Sequence, residues 1–132
     1  MGRDNKASES TEEVSMHELG IIQGVIDSAN AVAQEHNASS IREIRLKVGS
    51  LSQALPDALE FAFEALSPEY PLLKEATLTI ECIQARSECN ECKCSFEHEP
   101  YDFSCPYCGS FTTTLVAGKE LHIDSLEIEH ED

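Results

Sequence analysis

Four cysteines stand in two Cys-x-x-Cys pairs, Cys89/Cys92 and Cys105/Cys108, separated by the segment 93–104. A Cys-x-x-Cys turn brings two sulfurs to one ion while backbone N–H groups point at them. Two such turns supply the four ligands of a tetrahedral thiolate cage. Zinc is the expected occupant; iron in an electron-transfer role is the alternative, because an S4 site takes either metal. A dithiol redox role fits less well, since two pairs at this spacing predict one closed site. Four protein ligands leave no open position for substrate, so the cage is expected to be structural. It folds a segment too small to bury a core of its own. In Cys105-Pro106-Tyr107-Cys108-Gly109, Pro106 presets one dihedral and Gly109 can adopt positive φ. The first pair has Lys93 where the second has that glycine. Cys94, two residues on, is expected to point away from the ion.

The second feature is Met16-His17-Glu18. By itself it reads as a helix start: Ser15 can cap the helix and Glu18 then falls at N3, completing a capping box. On that reading His17 is an ordinary exposed histidine. The other histidines carry less chemistry. His36 belongs at a helix C-terminus, where a cation is favourable. His98 is expected in a solvated loop of the cysteine segment, His122 on the outer side of a strand, and His130 in a frayed acidic end.

These residues need a scaffold, and apolar periodicity supplies one. Leu19, Ile22, Ile26, Ala29 and Ala33 recur at spacings of three and four, which predicts a helix from Met16 to about Asn37. Residues 41–48 alternate, with Ile44, Leu46 and Val48 on one face and Arg45 and Lys47 on the other, and Gly49-Ser50 closes that strand. Pro56 suits the first turn of a second helix. Leu59, Phe63 and Leu66 form its buried side, and Ser67-Pro68 and Pro71 end it. A second strand covers about 76–84, with Leu78, Ile80 and Cys82 facing one way. Cys82 is therefore expected to be buried, not a ligand. A last strand runs from about 120 to 129. Its apolar residues change parity between Leu121/Ile123 and Leu126/Ile128, which calls for a bulge near Asp124-Ser125. The predicted fold is α+β: two helices on a three-stranded sheet, with a four-cysteine zinc-ribbon module inserted before the last strand. The expected division is a polar disordered tail over 1–15, an α+β domain over 16–86 plus 117–132, and the metal module over 87–116.

Charge narrows the partners. The chain of 132 residues has a formal net charge of −16. Four thiolates and one divalent ion would make it −18 (−16 − 4 + 2). The 87–116 segment has five acids and one base, a charge of −4. Such surfaces repel phosphate, which argues against nucleic acid and anionic membranes as partners. No apolar run reaches the roughly 18 residues a spanning helix needs. The segment 1–15 lacks the apolar stretch of a secretory signal. The expected location is the cytoplasm. No catalytic Ser-His-Asp or Cys-His arrangement and no phosphate loop is apparent, so no enzyme is expected.

In order, Met16-His17-Glu18-Leu19, the strand end Lys47-Val48-Gly49-Ser50-Leu51-Ser52, the segment from Pro56 to Glu64, the two cysteine pairs, Gly118-Lys119-Glu120-Leu121 and Ser125-Leu126-Glu127-Ile128-Glu129 resemble the HypA/HybF family. Its members are nickel-insertion metallochaperones of hydrogenase maturation. The resemblance covers about 16–129. It implies transferable Ni(II) held by the Met-His-Glu segment, with His17 as the nickel histidine and Glu18 as its neighbouring acid. It also implies structural Zn(II) on Cys89, Cys92, Cys105 and Cys108. The implied partners are a hydrogenase-maturation GTPase and the hydrogenase large-subunit precursor, with urease maturation proteins as a further route. Monomer and homodimer both remain open. The chain departs from the family pattern in placing the segment 1–15 before Met16, so the nitrogen of Met16 is an amide unless the chain is shortened. A further acid used by some members falls at Leu55 in an ungapped register, with Asp57 nearby. Two other readings remain: a zinc-ribbon interaction or regulatory protein without transferable nickel, and a rubredoxin-like electron carrier.

Overall fold

A computed structural model describes residues 16–131. The 1–15 segment, with its expected disorder and its Ser15 cap, lies outside the described residues. Helix α1 spans Met16–Glu35. Its buried stripe is Ile22, Val25, Ile26, Ala29 and Ala33, and Gly24 does not interrupt it. The helix ends in a left-handed cap. Asn37 has φ 56°. Its N–H reaches the Gln34 carbonyl at 3.1 Å, and the N–H of Ala38 reaches that of Ala33 at 2.9 Å. These two bonds satisfy carbonyls that a helix end leaves open. Asparagine tolerates this conformation better than most residues. The helix therefore stops short of Asn37, which forms the cap instead.

Helix α2 spans Pro56–Leu66, with its proline in the first turn. Leu59, Ala62 and Phe63 are buried, while Leu66 is half-buried. Two short 3-10 turns, Ser67–Glu69 and Pro71–Leu73, follow.

Among the described residues, six strands make two sheets. Strands β1 (Ser40–Gly49), β2 (Thr77–Ile83) and β6 (Leu121–Glu129) form one, in the order β2-β1-β6. The last strand thus returns beside the first, as its apolar residues require. The N–H of Ser39 bonds the Glu129 carbonyl at 2.7 Å, and that of Gly49 bonds the Glu120 carbonyl at 2.7 Å. Strand β6 therefore runs opposite to β1. Asp124 and Ser125 are consecutive exposed residues in β6, which is where the expected parity change falls. Cys82 is exposed, not buried. It lies one residue from the end of an edge strand whose other apolar residues are only half-buried, so strand parity did not suffice to bury it.

Strands β3 (Arg86–Cys89), β4 (Ser95–Glu97) and β5 (Thr113–Ala117) form the second sheet, in the order β4-β3-β5, all antiparallel. At three to five residues, these strands are too short to show a period in the sequence.

The chain divides into two compact units. Of the described residues, the first comprises 16–44, Ala54–Leu78 and 125–131. Among its described residues, Ile22, Ile26, Ile41, Ile44, Leu59 and Leu73 are fully buried. Each stabilises the fold by about 1.5–3 kcal/mol through burial. The second unit comprises Arg45–Gln53 and Thr79–Asp124, with Leu46, Val48, Ala85, Ser87, Cys89, Phe96 and Cys105 buried. In it, a Cβ on Gly49 would collide with the backbone carbonyl of Gly118. Gly118 itself has φ 125° and donates its N–H to Glu120 Oε1 at 2.8 Å. The two glycines allow the chain segments to touch backbone to backbone.

Candidate metal centre

The four cysteines converge. Cys89 closes β3, whose alternation buries Ser87 and Cys89 and exposes Arg86 and Glu88. The register places Ser87 opposite Phe96 and Cys89 opposite Thr113. From there the chain makes a tight turn. The N–H of Lys93 bonds the Cys89 carbonyl at 2.9 Å, and the N–H of Cys89 bonds the Cys94 carbonyl at 2.9 Å. The second pair repeats this pattern. The N–H of Gly109 bonds the Cys105 carbonyl at 2.8 Å, and that of Cys105 bonds the Ser110 carbonyl at 2.9 Å. Lys93 and Gly109 both have positive φ, 68° and 78°. The lysine therefore does what the sequence reserves for glycine.

Sulfur positions follow from these turns. Cys89 Sγ lies 3.5 Å from Cys108 Sγ, and Cys92 Sγ lies 3.6 Å from Cys105 Sγ. All four sulfurs lie within 4.8 Å of one another. A tetrahedron with metal–sulfur bonds of about 2.3 Å has edges of about 3.8 Å, so the group fits one divalent ion. Backbone donors are already aimed at it. The N–H of Cys92 points at Cys89 Sγ (3.5 Å), and the N–H of Tyr107 points at Cys105 Sγ (3.4 Å). Cys94 is exposed and outside the group, as expected.

Those donors split the four thiols into two kinds. The backbone N–H of Cys92 lowers the Cys89 thiol to about 7 against the opposing effect of burial, and Cys108 adds a further S–H donor. The Cys105 thiol is also lowered: burial opposes this, and the N–H groups of Tyr107 and Cys108 and the Cys92 thiol outweigh it. Their partners move the other way. The N–H of Cys94 pulls the Cys92 thiol down, but burial and the neighbouring thiols push it up to about 12. The Cys108 thiol is raised as well: the N–H of Ser110 lowers it, and the Cys89 thiol and burial overcome that. Within each close sulfur pair one thiol thus ionises more readily than its partner. A divalent cation binds the thiolate forms, so loading displaces whatever protons the four thiols carry and offsets part of the thiolate charge.

The sequence did not reveal what packs beside this centre. His98, expected in a solvated loop, is buried. Its Nδ1 donates to the Glu99 carbonyl at 2.8 Å, so Nε2 accepts the hydroxyl of the fully buried Ser87 at 2.8 Å. The ring lies between those of Phe96 and Phe103, with centroids 5.5 and 5.0 Å away. Phe96 in turn packs with Cys89 and Cys105. The available signal was Phe96-x-His98, an alternation that continues β4 past its end.

His17 and Glu18 belong to the other unit, in the first turn of α1. The His17 side chain is 56% exposed, and its Nδ1 lies 3.8 Å from Glu18 Oε2. Glu18 is buried and accepts the backbone N–H of Leu55 at 3.2 Å. Leu55, where the ungapped register sets the further acid, has an exposed apolar side chain, and its backbone N–H anchors Glu18. Asp57 lies in the first turn of α2. His36 follows the end of α1, and its carbonyl accepts His130 Nε2 at 2.8 Å, so His130 is tied down where a frayed end was expected. His122 is exposed on β6, as expected.

Fold and centre together define a small α+β metal-binding protein. The chain belongs to the HypA family: residues 16–128 match the family described as hydrogenase/urease nickel incorporation, metallochaperone. It is 37% identical over 114 residues to the hydrogenase maturation factor HypA of Geotalea uraniireducens, covering 86% of this chain and 100% of that one. To the factor of Aquifex aeolicus it is 32% identical over 114 residues, covering 86% and 98%. Among solved structures, the nickel metallochaperone HypA from Helicobacter pylori aligns with 86% of this chain and 98% of its own, at TM-score 0.61 and 25% identity. Another HypA solution structure aligns with 89% and 99%, at TM-score 0.67 and 27% identity.

Proposed function

We propose that this protein is a cytoplasmic carrier, not an enzyme, that binds Ni(II) at the start of α1 and keeps Zn(II) in the four-cysteine cage. The observation that carries this reading is the family match, which begins at Met16, the first residue of α1. The chemistry of the two sites supports a division of labour. The cage offers four thiolates in turns held by backbone bonds, which suits a permanent ion. His17 offers an accessible imidazole in a first turn, which suits an ion that must leave. Glu18 contributes negative charge beside it, while its bond to Leu55 fixes the segment. Its part is ligand, anchor or both.

Delivery goes to the hydrogenase large-subunit precursor with a maturation GTPase, the partners that the sequence resemblance implies, and urease maturation proteins are a second route. The acidic surface argues against nucleic acid, and no described helix is long and apolar enough to cross a membrane. The test is nickel titration calorimetry on zinc-loaded protein in three forms: full length, beginning at Met16, and His17→Ala. The expected result is tight binding in one or both of the first two and its loss in the third. Equal binding in all three places nickel elsewhere. No binding in any form leaves a zinc-ribbon interaction protein, and visible thiolate–metal absorption of the purified protein would indicate iron.

A further inference from the structure

Half of this chain's aromatic residues stand exposed on one short stretch of the second unit. Of three tyrosines and five phenylalanines, Tyr101, Phe103, Tyr107 and Phe111 fall in the segment 101–111. They are 83%, 40%, 68% and 80% exposed. Backbone and side-chain bonds fix the stretch. Thr113 donates its N–H to the Phe111 carbonyl at 3.0 Å and its hydroxyl to the Phe103 carbonyl at 3.1 Å. Tyr107 sits in the turn closed by Gly109 and Cys105. Phe103 also packs against the His98 ring, tilted 55° to it. Three of the four rings thus hang from hydrogen-bonded backbone. Rigid exposed aromatic groups are costly in water and typical of interface anchors.

Charge indicates what covers them. Glu97, Glu99 and Asp102 line a cavity of about 480 Å³ beside Phe96 and Pro106. Arg86 lies 3.9 Å from Glu97. A second copy of the chain would bring the same acids against these, so self-association through this face is disfavoured. We infer that the 101–111 face docks a protein partner that presents arginine among apolar side chains. Guanidinium groups stack on the exposed rings and reach the three carboxylates, and the apolar side chains cover the rest. This surface is separate in kind from nickel binding, and either reading survives the failure of the other.

The test is NMR on full-length, zinc-loaded protein. The probe is a dodecapeptide amide alternating arginine and leucine, with a glutamate-for-arginine counterpart as control. The expected shifts are confined to 97–111 and absent with the control. Tyr101→Ser/Phe111→Ser should weaken binding about tenfold, the loss of two aromatic contacts. Both residues are exposed, so zinc content should be unchanged, and Glu99→Gln/Asp102→Asn provides an independent weakening without touching the rings. Shifts spread over the whole acidic surface, equal response to both peptides, unchanged affinity in both double variants, or a dimer formed through these rings would overturn the inference.

Discussion

Lys93 and Gly109 occupy the same place in two matching turns. Each follows the second cysteine of its pair, each has φ near 70° (68° and 78°), and each donates its N–H to the first cysteine's carbonyl. Lysine meets a steric cost in that conformation that glycine avoids. Lys93→Gly should therefore stabilise the zinc-loaded protein by about 0.5–1 kcal/mol, and Gly109→Ala should destabilise it by a similar amount. Urea titration followed at zinc saturation reads both; opposite signs would show that the two turns are not equivalent.

A Gly49→Ala change has no such tolerance. The added methyl meets the Gly118 carbonyl, which cannot rotate away as a side-chain tip could. The expected cost is about 3 kcal/mol, at the upper end for overpacking. Gly20→Ala, where a Cβ meets nothing within 4 Å in α1, is the control and should be slightly stabilising. Thermal unfolding of both variants checks the contrast.

Ser87→Ala removes the hydroxyl that His98 Nε2 accepts. It leaves a buried acceptor without a partner, at an expected cost of about 1–3 kcal/mol. The ¹⁵N shifts of His98 should report the changed environment of Nε2, with Nδ1 still protonated. An unaltered histidine spectrum would contradict the assigned pair.

Metal loading should release protons in a pH-dependent number. The folded-state value of Cys89 is about 7, below the ordinary 9.0. For a depressed acid, the stabilising effect of the folded state is full above 9.0 and fades as pH falls through about 7. At pH 8 Cys89 is mostly thiolate, and at pH 6 it carries a proton that the metal must displace. Cys92, near 12, is protonated at both. Zinc loading should thus release about one more proton at pH 6 than at pH 8, with weaker affinity in acid. Calorimetry in buffers of different ionisation enthalpy gives the count.

Glu18→Gln separates the two roles open to Glu18. The amide keeps an oxygen for the Leu55 N–H but loses the charge. If Glu18 serves as an anchor, nickel affinity should fall less than about tenfold; Glu18→Ala, which removes both, should cost more. Equal large losses in both variants would point to a ligating carboxylate.

Much of this molecule was legible in its residue order. The cysteine spacing specified a four-sulfur group because the ligands of each pair lie within one turn, where local geometry decides. Helices α1 and α2 and strands β1 and β6 were legible because each is long enough to show a period, and the parity break at Asp124-Ser125 even marked where β6 departs from regularity. Three features needed the folded chain. His98 is buried because Phe96, Phe103 and Ser87 come together from separate strands and a loop, and no local pattern encodes that meeting. Cys82 obeys strand parity yet is exposed, because burial depends on what covers a face and not on which face it is. Glu18 meets Leu55 across 37 residues, a pairing set by the packing of one helix start against another.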